Sequence, residues 1–342
     1  MNPGKVFRSV FKAREMTSLS FVIALFLLVG LVNHDFLSGE NLLLTLNASV
    51  VFAMLAIGAS FVIITGEIDV SVGAVMGLTA AVSASMIRDG APWGQAVLAA
   101  VIIGLVCGTV NGLGLMYLRI PSIIMTLGTN GIIRGLIYVY TGGRWVENVP
   151  QNFKALSQVS FMGITIFYWS ALAVAIAGFL VMSRLRYGRY FAAVGDNITC
   201  ATFIGIPVRR VKILAFVFSG LFTSIAGLMF VSRIGFVTPM AGSGYEMKAI
   251  AACVLGGVSL SGGVGSLIGA SIGAIIMASI GRILVFLNSS YDDNTITGIL
   301  LVAIVVADAL LQHRSIEHAR RQRLNAKTAA AESPVLKGAG KE

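Results

Sequence analysis

Charge is scarce in the apolar parts of this sequence, and the exceptions are the residues able to act on another molecule. Glu67, Asp69, Arg134, Glu246, Lys248, Arg282 and Asp308 lie in or beside strongly apolar runs. An ionisable group in such a setting is costly to bury and marks a polar pathway or an ion site by default. Glu67 and Asp69 fall in Gly66-Glu67-Ile68-Asp69-Val70-Ser71, between two apolar runs. A second reading of that stretch is helix capping by Asp69 or Ser71. Arg134 follows Asn130, with Gly128, Gly131 and Gly135 nearby. It either lines a polar pathway or extends its guanidinium to the outer surface. Asn111 and Asn130 join Glu67, Asp69 and Arg134 as pathway candidates. Glu246 and Lys248 stand two apart, so on a helix they do not face each other.

Enzymatic chemistry finds little support. The three histidines, His34, His313 and His318, all fall in polar segments, so no apolar run offers a Ser–His dyad or an HExxH site. No catalytic residue, metal or cofactor is expected. The terminal Gly338-Ala339-Gly340-Lys341 lacks the upstream glycine, the Ser/Thr and the following helix of a phosphate-binding loop. If ATP drives this protein, it binds to a different chain.

These residues are positioned by a membrane fold. Of 342 residues 56% are hydrophobic and 12% charged, with a mean hydropathy of +0.88. Soluble domains carry about twice that charge. Apolar runs near 20 residues recur, which predicts an all-α, polytopic membrane protein of about ten transmembrane helices and excludes a β-barrel. The expected spans are 18–32, 43–65, 70–87, 93–118, 122–140, 164–182, 213–231, 246–258, 266–287 and 295–311, the eighth short enough to be re-entrant. They divide the chain into a tail 1–17, a transmembrane domain 18–311 and a basic tail 312–342. Cys107, Cys200 and Cys253 imply no disulfide framework. The first run, Leu19–Val32, leads into Asn33-His34-Asp35 rather than a small-residue cleavage site, so no cleaved signal peptide is expected.

The net charge of +10 points to topology rather than to nucleic acid. Basic residues concentrate in the N-terminal tail, at Arg119, in the central segment and from Arg314 onward. By the positive-inside rule both termini are cytoplasmic. Trp93, Trp145 and Trp169 fall at outer boundaries, where an aromatic belt places them. The C-terminal tail is suited to anionic membrane lipid.

The central segment 183–212 carries six Lys/Arg against one acid, Asp196. Asp196 or Asn197 is placed to cap a short helix over Ile198–Ile204, which Gly205 and Pro207 then stop. Such a helix on a cytoplasmic loop is a docking feature; a solvated connector is the alternative. The halves on either side echo one another. Gly104, Gly108 and Gly112 recur every four residues in the fourth span, and Gly265, Gly269 and Gly273 do so in the ninth. Each stripe lets a neighbouring backbone approach. Spans 2–5 and 7–10 begin on opposite sides, the pattern of an inverted repeat. The small-residue run Gly242–Gly265 is no ordinary lipid-facing helix, because broken backbone at membrane depth needs protein or a water-filled cavity around it.

Four stretches resemble the permease subunits of ribose-type ABC importers: Gly66–Gly73, Thr126–Gly135, Gly188–Asn197 and Gly244–Gly263. Within that family, Thr141–Ser157 and Glu246–Gly257 are most similar to the permeases of autoinducer-2 import; neighbours carry ribose, galactose, xylose or rhamnose. The resemblance implies a pore made with a second, homologous permease, two ABC ATPase subunits on the cytoplasmic face, and a periplasmic substrate-binding protein. The stretch 195–207 then corresponds to the coupling helix, with Asp196, Asn197, Ile198, Ala201, Phe203, Ile204 and Gly205 at the ATPase contact. Coupling loops of the family often carry Glu-Ala-Ala and then Gly. Here Thr199-Cys200-Ala201 and Gly205 keep the Ala and Gly without the acid. An ion-coupled transporter using Asp69 or Glu67 is the reading from another class.

Overall fold

The structure, a computed structural model, describes residues 14–286 together with Thr295, Gly298, Ile299, Val302 and Val306. Its elements, in chain order, are α1 (Arg14–Val32), a 3-10 turn (His34–Leu37), α2 (Gly39–Ala48), α3 (Val50–Ile64), α4 (Val72–Arg88), α5 (Trp93–Tyr117) and α6 (Ser122–Thr141). There follow α7 (Gln151–Ala155), the hairpin β1 (Ser160–Phe161) and β2 (Ile164–Thr165), α8 (Ile166–Arg184), α9 (Arg186–Asp196), α10 (Ile198–Phe203), α11 (Val208–Ile234), α12 (Tyr245–Leu255) and α13 (Leu267–Phe286). Among the described residues, five helices are long and apolar enough to cross a membrane, six if α2 and α3 form one bent span. This is a polytopic helical membrane architecture.

The first nine expected spans all coincide with helices; the tenth, with Asp308, and the basic tail with His313 and His318 lie outside the described residues. Three expectations change in detail. The second span is bent by 43° between α2 and α3. At that point the Ser49 hydroxyl donates to Leu46 O, and a turn earlier Thr45 donates to Asn41 O. Side chains that bond back into the helix ladder are a recognised cause of bending. The eighth span is helical only over the 11 residues of α12, roughly 16 Å, about half the hydrocarbon thickness. The central segment is ordered helix rather than loop, and Arg209, Arg210 and Lys212 belong to the first turns of α11.

The helices pack with an exchange symmetry. Helix α3 meets α11 at the centre, where Gly58 faces Ser219. In the first half α5 lies along α11; in the second, α13 lies along α3. Likewise α4 packs on α11 and α12 packs on α3. The first stripe makes the α5–α11 approach possible: a Cβ at Gly108 would overlap Phe216 O, and one at Gly104 would overlap Gly220 O. In the second half only Gly269 and Gly273 lie on α13, because Gly265 precedes it. Gly273 abuts Ala252 and Gly256 at the end of α12.

The two ends of the bundle gather different segments. At one, Trp93 stacks edge-on to Phe153, Trp145 lies flat on Phe236, and Trp169 leans on Phe161. Val146 and Val237 also exchange backbone hydrogen bonds there. At the other end the non-helical stretches 65–71 and 256–266 meet the central segment.

Candidate functional site

Helix α3 stops in a Schellman turn. Gly66, at φ +80°, takes the left-handed conformation; its N–H donates to Ile63 O and the Glu67 N–H donates to Val62 O. The chain then runs extended to Ser71 inside the bundle, where its backbone groups need partners. One stripe of α6 supplies them at four-residue intervals. Ser122 Oγ accepts from Ile68 N at 3.3 Å, Thr126 Oγ1 accepts from Val70 N at 3.1 Å, and Asn130 Nδ2 donates to Val70 O at 2.9 Å. One turn further along, Arg134 Nη1 donates to Ala241 O at 2.6 Å, in the segment leading to α12. Positions four apart lie on one helix face, so a single face of α6 holds the segment 65–71 and the segment leading to α12. Asn130 and Arg134 are thus bound to broken backbone.

Asp69 sits at the centre, 4% exposed. Its Oδ1 accepts from Ser71 N at 2.9 Å and from Ser71 Oγ at 2.6 Å, and its Oδ2 accepts from Ser219 Oγ on α11 at 2.8 Å. Asn111 of α5 donates to Ser71 Oγ at 2.9 Å and accepts from Thr129 Oγ1 at 2.6 Å. The capping reading is met in part: Asp69 satisfies the Ser71 N–H at the start of α4, whereas the Ser71 side chain makes no cap bond. Four of the five pathway candidates, Asp69, Asn111, Asn130 and Arg134, meet one network or the α6 face that supports it.

Glu67 turns away from this network and forms an ion pair with Lys212 of α11. The pair lines an open cavity of about 400 Å³ at the α5–α6 link, walled by Leu115, Met116 and Ile123 together with Arg119. Near the tryptophan-bearing end, the Arg134 guanidinium lies 3.9 Å from Glu246, and the Lys248 ammonium stands 5.7 Å from the ring centroids of both Phe52 and Tyr245.

Helix α10 forms as its composition predicts, one residue shorter. Asn197, not Asp196, is the cap, with Oδ1 accepting from Cys200 N at 2.9 Å. Asp196 is the last residue of α9. Gly205, at φ +80°, ends the turn beyond Ile204. Ala201 is buried, while Phe203 is 86% and Ile204 74% exposed and Ile198 is also exposed. These apolar side chains stand at the end of the bundle where the central segment lies.

Behind α10 lies a junction made mostly of backbone. A Cβ on Gly195 would overlap Ile64 O and press on Gly263 N. The Gly263 N–H donates to Ile64 O at 2.9 Å. Gly262 lies against Gly66 and Gly195 O, and Gly263 against Asp196. The element that presents α10 therefore touches the end of α3 and the segment 256–266 directly.

Sequence reasoning did not find Ser122, Ser219 or the pairing role of Lys212; it marked the stretches holding Thr126, Gly195, Gly262 and Gly263 without their contacts. The four-residue period Ser122–Thr126–Asn130–Arg134 was the available signal. Lys212 passed for one more topological cation.

Comparison with known proteins bears on the same stretches. The family described as "Branched-chain amino acid transport system / permease component" matches residues 41–307. The chain is 39% identical to the autoinducer 2 import system permease protein LsrC of Klebsiella pneumoniae subsp. pneumoniae, over 92% of this chain and 91% of that protein. It is 39% identical to the protein of the same name from Salmonella typhi, over 91% and 90% of the two chains. To that of Yersinia pseudotuberculosis serotype O:1b it is 37% identical, over 93% and 91%.

Proposed function

This chain belongs to the family of branched-chain amino acid transport system permease components, and from that premise we propose that it is the pore subunit of an ATP-driven importer carrying autoinducer 2 across the inner membrane. It is a multi-pass transport subunit. In this reading ATP is hydrolysed by two ABC ATPase subunits, a second, homologous permease completes the pore, and a periplasmic binding protein delivers the cargo. Both termini and α10 face the cytoplasm.

The observation that carries the energised-pore reading is α10. It is capped, apolar at its outer face, and backed by the Gly195 junction on the segments 65–71 and 256–266. ATPase closure would displace α10, and Gly195 would pass that displacement to the ends of α3 and α12. The segment 65–71 carries the Asp69 network on one side and Glu67 on the other, so it would shift the polar groups that line the path. The cargo assignment rests on the 37–39% identity to permeases of autoinducer 2 import. A monosaccharide importer of the same mechanism is the nearest alternative cargo reading.

The test is ATP-dependent uptake of labelled autoinducer 2 and ribose, side by side, in vesicles. The chain is co-expressed with the permease, ATPase and binding protein encoded beside it. Entry of autoinducer 2 without ribose supports the proposal. Entry of a pentose alone removes the cargo and keeps the mechanism. Uptake driven by an ion gradient without the ATPases overturns the ATP-driven reading.

A further inference from the structure

The cavity at the α5–α6 link is not accounted for by the polar network. We propose that it is a release subsite for the cargo, taking a small polyhydroxylated molecule whose hydroxyls donate to the Glu67 carboxylate. The proposal rests on the import reading above.

Three features of the cavity select that class of ligand. Its volume, about 400 Å³, lies at the small end of the range for small-molecule sites. Its charges are of both signs: Glu67 is matched by Lys212, together with Arg119. A lone cation would meet a carboxylate that Lys212 already neutralises, whereas a neutral hydroxyl can donate to that carboxylate and accept from an ammonium or guanidinium at once. Finally, Leu115, Met116 and Ile123 present apolar walls that suit the C–H faces of a sugar-like ring.

Position links the cavity to the path. Glu67 is two residues from Asp69, so one short segment carries both the buried network and the carboxylate of the cavity. Lys212 stands in the first turns of α11, soon after α10 and Pro207. A displacement of α10 would change the Glu67–Lys212 pair, freeing or closing the carboxylate for a hydroxyl. Arg119, in the wall of this cavity, holds φ +59°, a conformation uncommon outside glycine. Backbone held in that region recurs at ligand clamps.

The experiment uses the assembled transporter in lipid nanodiscs, carrying Met116→Cys on the cavity wall. It is labelled with a water-soluble maleimide in the presence of autoinducer 2, ribose, or tetrahydrofuran, a ring of similar shape without hydroxyls. Peptide mass spectrometry reads residue 116 against the native Cys200, which is exposed and serves as the internal reference. Ile123→Cys repeats the measurement on the same wall if Met116→Cys fails to assemble. The expected result is that a transported polyol slows labelling at 116 about fourfold at three times its Kd, as occupancy of one site requires, and leaves Cys200 unchanged. Tetrahydrofuran has no effect, Glu67→Gln abolishes the protection, and Glu67→Asp keeps part of it. Labelling indifferent to every polyol, or protection that survives Glu67→Gln, overturns the subsite. If uptake proceeds while labelling is indifferent, the subsite falls and the import reading stands. If protection is seen but ATP-dependent uptake is not, the import reading falls and the site stands.

Discussion

The Asp69 carboxylate faces three donors, Ser71 N, Ser71 Oγ and Ser219 Oγ. Asp69→Ala would strand those donors in the bundle, at a cost of about 1–3 kcal/mol for each one left without an acceptor. Asp69→Asn keeps one oxygen for Ser71 and offers its amide to the Ser219 hydroxyl, so its cost should be about 1 kcal/mol. Thermal unfolding of the detergent-solubilised chain would separate the two. Equal loss in both variants would mean that the charge, rather than the hydrogen-bond geometry, is what the site requires. At this scale the sequence was half legible. Asp69, Asn111, Asn130 and Arg134 stood out as polar groups in apolar surroundings, but their partners did not. Ser219 lies 150 residues from Asp69, and a serine in an apolar helix carries no mark of what it will meet.

Helix pairs make a sharper contrast. Gly108 has Phe216 O where its Cβ would be, whereas Gly131 on α6 has nothing within 4 Å. Gly108→Val should force α5 from α11, with a loss of about 1–3 kcal/mol or more from overpacking and loss of folded protein from membrane extracts. Gly131→Ala should leave the folded yield of the chain unchanged. Fluorescence-detected size-exclusion chromatography of both variants checks this, and a monodisperse Gly108→Val peak would remove the close-approach account. The spans themselves were readable because an apolar run long enough to cross a bilayer is a local property. The four-residue glycine period was readable for the same reason. The breaks at 65–71 and 256–266 were harder to bound. The backbone of 65–71 is satisfied from α6 and Gly263 of 256–266 bonds the end of α3, and no local pattern encodes a partner dozens of residues away. Gly265 shows the cost: it keeps the period of Gly269 and Gly273 yet lies outside α13.

For the molecule as a whole, the import reading requires that ATP hydrolysis and cargo movement be separable at α10. Phe203→Glu places a charge on the most exposed apolar side chain of that helix while Ala201 and the Asn197 cap remain in place. Uptake should fall at least about tenfold, an energetic penalty of roughly 1.4 kcal/mol at the contact. The chain should remain in the membrane at its normal level, and ATPase subunits should co-purify less. Unimpaired uptake would mean that the ATPases engage another surface. The glycine junction behind α10 bears on timing. Because Gly195 touches Ile64 and Gly263 at once, and Gly263 is itself bonded to Ile64, the two irregular segments share one fixed point. In the proposed mechanism, a stroke arriving there would reach the end of α3 and the segment after α12 through one contact. Synchrony between the halves would then need no relay of side chains, and substitutions elsewhere on the segments could retune cargo preference without putting the halves out of step.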